Sequence, residues 1–79
     1  MSAAIRYSMV IQWSSEDESF LVSLPEWEGR VFNPVTHGGT YGEAAERGFE
    51  VLEGLVASAV AHAEPLPEPS ELQALAPLA

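Results

Sequence analysis

From Ile5 to Trp13 the chain alternates strictly. Ile5, Tyr7, Met9, Ile11 and Trp13 fall on one side, and Arg6, Ser8, Val10 and Gln12 on the other. A period of two means an extended strand with one face against a core. Ser14 to Ser19, written SSEDES, is a polar turn, and Phe20, Val22 and Leu24 resume the alternation. Two such runs joined by a short polar link predict an antiparallel hairpin. Pro25 ends the second run because it has no N–H to give the ladder. Pro25 to Pro34 reads as a connection that bends at Gly29 and includes an extended stretch at Arg30 to Phe32. Val35, Thr36 and His37 then form a short third strand.

After Gly39 the period changes. Ala45, Gly48, Phe49, Leu52, Val56, Ala59 and Ala63 make one helical stripe, with Leu55 and Val60 beside it. Glu43, Glu46, Arg47, Glu50 and Glu53 lie opposite. That is an amphipathic helix laid on a core. Thr40 and Glu43, three residues apart, form a capping box: the threonine hydroxyl accepts from the third helical amide and the glutamate reaches back. Glu43 and Arg47 are an i,i+4 pair worth a few tenths of a kcal/mol. The helix is expected from Tyr41 to about His62 or Ala63, where EPLPEPS, residues 64–70, stops it. This Pro-rich segment reads as extended. Residues 71–79, ELQALAPLA, are a short apolar tail that fits a turn of helix, an edge strand or an arm docked on a neighbour. Strands followed by one helix predict an α+β domain over residues 1–70. Its sheet has three to four mainly antiparallel strands, with the long helix packed on one face.

At 79 residues the chain holds one domain and buries a modest fraction of its surface. It has no cysteine for a disulfide or thiolate metal site, so self-association is the remaining common source of buried area, and a dimer or tetramer is expected. The formal net charge is -9, with three arginines, Arg6, Arg30 and Arg47, and no lysine. Nucleic-acid binding draws on clustered cations, so none is expected. An acidic surface suits a basic protein partner and also keeps a small protein in solution. The N-terminal residues lack the basic and apolar pattern of a secretory leader, and no run approaches the roughly 18 to 20 apolar residues of a membrane span. The default expectation is cytoplasmic.

The glycines before the helix raise the question of chemistry. A phosphate-cradling P-loop needs a lysine, and there is none. A dinucleotide fingerprint needs a larger βαβ unit. Gly38 and Gly39 therefore read as the sharp turn that delivers Thr40 to its cap. His37 at a strand end reads as a turn residue, and His62 suits the negative end of the helix. General acid–base or metal chemistry needs carboxylates that converge. Glu16, Asp17 and Glu18 are consecutive in a turn, and the helix glutamates face outward. The chain is read as a non-enzyme without metal or cofactor. Tyr7 and Trp13 are assigned to the core. Trp27, between Glu26 and Glu28, either closes one end of the core or stands exposed as an interface anchor. Val10 and Leu21 make a small apolar patch on the polar sheet face.

The residues also carry a resemblance. Leu24-Pro25-Glu26 ends the second strand, Gly29 follows, Gly38-Gly39-Thr40 opens a helix with Glu43-Ala44, and Glu64 to Ser70 closes the domain. In that order and spacing, over roughly residues 5–70, the series resembles the HicB family of type II antitoxins. The resemblance implies a partial RNase-H-like fold, β-β-β-α-β, without nuclease activity. It implies an antitoxin that binds and blocks a small basic, RNA-cleaving HicA-type toxin, and it implies homo-oligomers. On that reading Glu16, Asp17, Glu18, Glu26, Trp27 and Glu28 are the candidate contacts to the toxin. The alternative is a stand-alone homo-oligomeric module of the same fold with no toxin partner.

Overall fold

The computed structural model describes residues 5–72. Strands β1 (Val10–Ser14), β2 (Ser19–Ser23) and β3 (Thr36–Gly38) are followed by helix α1 (Tyr41–Ala61), with a single 3-10 turn at Pro25–Trp27. The three strands form one antiparallel sheet in the order β1-β2-β3, and α1 packs on one face of it. This is the α+β class expected from the pattern. In the register, Val10 lies opposite Ser23, Ser14 opposite Ser19, and Val22 between Ile11 and Thr36.

Pairing of β1 starts at Val10 and not at Ile5, because β2 ends at Ser23 and leaves residues 5–9 without a strand partner. The alternation still sets the faces. Ile5, Tyr7, Met9 and Ile11 are half-buried against the core, while Arg6, Val10 and Gln12 are exposed. Trp13 is the exception and corrects the expectation of a core residue: it is 54 % exposed. It stands beside the hairpin turn, and α1 lies mainly over β3 and β2, so among the described residues no second layer covers it.

The core is Val22, Leu24, Trp27, Ala44 and Leu52. After Pro25 the chain leaves the sheet, and Gly29 turns it in a left-handed conformation (φ 91°). The Asn33 side chain then substitutes for a strand partner. Its Oδ1 accepts from the Leu24 N–H at 2.8 Å and its Nδ2 donates to the Leu24 carbonyl at 3.2 Å. Residues 30–32, read as extended, make one isolated parallel bridge, Val31 to Glu28.

Helix α1 has 21 residues, about 32 Å at 1.5 Å each. The Thr40 hydroxyl accepts from the Glu43 N–H at 3.0 Å, and Glu43 Oε1 accepts from the Gly39 N–H at 2.6 Å. The capping box is therefore present, with the glutamate reaching one residue further back than Thr40. The buried stripe is rotated from the one read in the sequence. It runs through Ala44, Gly48, Leu52 and Ala59, while Phe49 is 43 % and Val60 65 % exposed. Gly38 explains the rotation. A Cβ there would sit 2.5 Å from the Ala44 nitrogen, so the bare backbone of β3 lets the first helical turn dock on its Ala44 side.

Beyond the helix, residues 64–70 return along the sheet side of the molecule in irregular form. Three side chains hold them. Arg30 Nη1 donates to the Pro65 carbonyl at 2.6 Å, the Tyr7 hydroxyl donates to the Pro67 carbonyl at 2.7 Å, and the Ser70 N–H donates to Glu26 at 2.9 Å. Among the described residues no fourth strand follows the helix. The tail expected as an edge strand or docked arm falls on residues 71–79, of which 73–79 lie outside the described residues. No helix among the described residues is long and apolar enough to cross a membrane.

Candidate functional site

The residues proposed from sequence as partner contacts fall into two groups that the fold does not bring together. Glu16, Asp17 and Glu18 occupy the β1–β2 turn. Glu26, Trp27 and Glu28 follow the other end of β2, so five strand residues, about 17 Å of chain, separate the groups.

The turn is built by its own polar groups. Ser14 Oγ donates to Asp17 Oδ2 at 2.8 Å and accepts from the Asp17 N–H at 3.3 Å; Ser19 Oγ donates to the Asp17 carbonyl. Glu18 has φ 49°. Asp17 thus shapes the turn. Glu16 and Glu18 are exposed, and among the described residues neither makes a hydrogen bond or ion pair.

The second group is different. Trp27 is 2 % exposed, which overturns its reading as an exposed anchor. Its ring meets Tyr7 edge-on at 5.4 Å, and the Arg30 guanidinium lies 5.5 Å above it. The return segment seals this end through Arg30, so the indole closes the core, and its Nε1 has no hydrogen-bond partner among the described residues. Glu26 is also occupied internally. It accepts from the Ser8 N–H at 3.1 Å, the Ser8 hydroxyl at 2.9 Å and the Ser70 N–H. Burial pushes its pKa up, but the Ser70 and Ser8 donors outweigh burial and hold it below the ordinary carboxylate value. Burial raises Tyr7, whose hydroxyl is the neighbouring tie to the return segment. Of the three residues, Glu28 alone is fully exposed.

His37 and His62 remain apart. His37 is exposed on β3 opposite Leu21, and its carbonyl accepts from Arg47 Nη1 at 3.0 Å. His62 caps the C-terminus of α1, its ring Nδ1 2.8 Å from the Ser58 carbonyl. Glu43 is held below the ordinary value first by the Gly39 N–H and then by Arg47, 3.9 Å away. An open depression joins His37, Glu43 and Arg47 to Asp17, but Asp17 is spent on the turn, Glu43 on the cap, and Arg47 on Glu43 and the His37 carbonyl. Among the described residues no three His, Asp or Glu side chains gather as metal ligands.

What local pattern reading missed is aromatic. Trp13 meets Phe20 edge-on at 5.1 Å, and Phe20 meets Tyr41 at 4.2 Å. Trp13 and Tyr41 are 54 % and 66 % exposed, so the row is open to solvent where the acidic turn begins. The available signal was positional. Trp13 borders the polar turn, and Tyr41 follows directly on the cap residue Thr40. Scanned against models of known families, curated proteins and solved structures, the chain matches none.

Proposed function

We propose that this chain is an antitoxin-like inhibitor that binds and neutralises a small, basic, RNA-cleaving protein of HicA type. The observation that carries the reading is electrostatic. The chain has a net charge of -9, and Glu16 and Glu18 stand exposed in a turn rigidified by Asp17. Such a surface steers and orients a cationic partner. The ordered series of strand-ending, capping and Pro-rich motifs that resembles HicB antitoxins supports the same reading. Within the original contact set, Glu16, Glu18 and Glu28 are the residues left to meet a partner; Trp27 and Glu26 act through the fold.

The test is affinity purification of the full chain from its native cells at low salt, with elution at high salt. The expected result is a stoichiometric small basic protein that cleaves RNA once freed and stops when the chain is added back. Recovery of the chain with only itself favours the second reading, a stand-alone homo-oligomeric module. Among the described residues the outer edge of β1 is unpaired, and that is the feature that favours this alternative.

A further inference from the structure

The exposed large apolar side chains of α1 share one flank: Tyr41, Phe49 and Val60, with half-buried Ala45 and Val56 between them at helical spacing. Tyr41 rests on Phe20, and Val56 shares a cleft with Ile5, Arg6, Tyr7 and residues 66–69 of the return segment, so this flank overlooks the β1 side of the sheet. The opposite flank overlooks β3, where Arg47 reaches the His37 carbonyl. Because α1 sits over β3 and β2, the β1 side is under-covered, and there Trp13, Tyr41, Phe49 and Val60 are 54, 66, 43 and 65 % exposed.

Two further features coincide with this strip. Among the described residues β1 is an edge strand, and Val10–Ser14 carries no proline and no charged residue of the kind that blunts a free edge. The strip is also bordered by acids. Glu46 and Glu53 lie one helical turn either side of Phe49, Glu50 lies beside it, and Glu16 and Glu18 lie past Trp13. Arg30 and Arg47 are engaged elsewhere, on the return segment and on β3; Arg6 is the one arginine on this side, exposed at the Val56 end, away from Trp13 and Phe49. A second copy placed here would oppose these carboxylates to their own kind. A cationic partner would pair with them.

We infer that the free edge of β1 and the adjoining flank of α1 form one docking surface for a basic protein. An extended segment of the partner adds a strand beside Val10–Ser14, its apolar side chains cover Trp13, Tyr41 and Phe49, and its lysines and arginines meet the bordering glutamates. Strand addition supplies affinity through main-chain bonds, and the aromatic pockets supply specificity. The inference rests on the basic-partner reading above and names the surface that reading uses.

The test uses the full chain, its Trp13→Ala and Phe49→Ser variants, and Arg47→Ala on the other flank as control. The probe is the basic protein identified by mass spectrometry from the wild-type purification, expressed separately and titrated by calorimetry. Circular dichroism first checks that each variant is folded. The expected result is a loss of affinity of at least about tenfold for Trp13→Ala and Phe49→Ser and less than about twofold for Arg47→Ala, hot spots being central aromatics. Equal binding by all four chains would overturn this surface and leave the inhibitor reading standing. Recovery of no basic protein would overturn both. Sedimentation showing that Trp13→Ala dissolves a homodimer, or binding gained on deleting residues 71–79, would assign the surface to a second copy or to the chain's own tail and so overturn the inference.

Discussion

Trp27→Ala should cost this protein much of its stability, and Trp13→Ala should cost little. Trp27 is 2 % exposed and packs on Tyr7 under the Arg30 guanidinium. Truncating a buried Trp costs about 3–5 kcal/mol, from lost transfer energy and the cavity left behind. A chain of 79 residues has a total stability of about 4–12 kcal/mol at typical values per residue. The substitution therefore removes about a quarter of it or more. Trp27→Phe should be far milder, below about 2 kcal/mol. It shrinks the ring but also deletes an indole N–H that is buried without an acceptor, a group whose burial costs about 1–3 kcal/mol. Trp13, 54 % exposed, meets Phe20 edge-on, and its truncation should cost about 1 kcal/mol or less. The assay is urea unfolding followed by far-ultraviolet circular dichroism, since fluorescence would lose its own probe. With a slope of about 1 kcal/mol/M for a domain this small, Trp27→Ala should lower the midpoint by about 3 M or leave the chain unfolded in buffer. A Trp27→Ala midpoint within about 1 M of wild type would refute the assignment, as would a larger loss for Trp13→Ala.

Glu26→Gln should cost about 1–2 kcal/mol at neutral pH, because its charge-assisted bonds to Ser8 and Ser70 weaken at a site that is part-exposed and so screened. Its pKa is held below the ordinary value of 4.5, so this stability is present above that value and disappears as pH falls through the folded pKa. Thermal melts from pH 7 to pH 3 should show a steeper acid limb for wild type than for the variant; parallel limbs would dismiss this role for Glu26. Gly54→Ala should stabilise by about 1 kcal/mol through helix propensity alone, since nothing lies within 4 Å of the new Cβ. Gly48→Ala gains the same propensity but places its Cβ 2.9 Å from Val22 Cγ1 and 2.6 Å from Met9 Sδ. Met9 can swing aside and fully buried Val22 cannot, so melting temperature should rank Gly54→Ala above wild type and Gly48→Ala below it, and the reverse order would count against this packing. Gly38→Ala should sit near the top of the roughly 1–3 kcal/mol range for overpacking, because the obstruction is the Ala44 backbone. Hydrogen exchange at the Ala44 amide, which donates to the Thr40 carbonyl, should accelerate in this variant; unchanged protection would mean that β3 and α1 do not meet there as described.

The features that read correctly from the sequence are those whose causes lie within a few residues of themselves. The polar turn between two alternating runs is the hairpin. The pair Thr40 and Glu43 is the cap, and its glutamate reaches Gly39 because Oε1 finds that N–H. Proline ends β2, and the helix stops one residue short of His62. Features decided at long range did not read in the same way. The helix stripe is turned toward Ala44 because Gly38, six residues earlier and on another element, allows the close approach. The candidate contacts Glu26 and Trp27 look like neighbours in a polar loop, yet Glu26 is claimed by Ser8 and Ser70, 18 and 44 residues away.

The two tryptophans show why the division falls there. Parity along a strand says which side a residue is on, but not whether anything lies over that side. Trp13 has the parity of the core and stands at the end of β1, beyond the reach of a helix that crosses over β3 and β2. Trp27 has no parity, since it lies in a 3-10 turn. Yet Tyr7 from the first residues of the domain and Arg30, tied to Pro65 of the last, close around it. Burial thus follows from how many layers the whole chain lays across a point, and here it exchanges the roles that local reading assigns. The indole set between two glutamates holds the fold together. The indole counted as core, together with Tyr41 and Phe49, is largely exposed, beside a strand edge that is unpaired among the described residues.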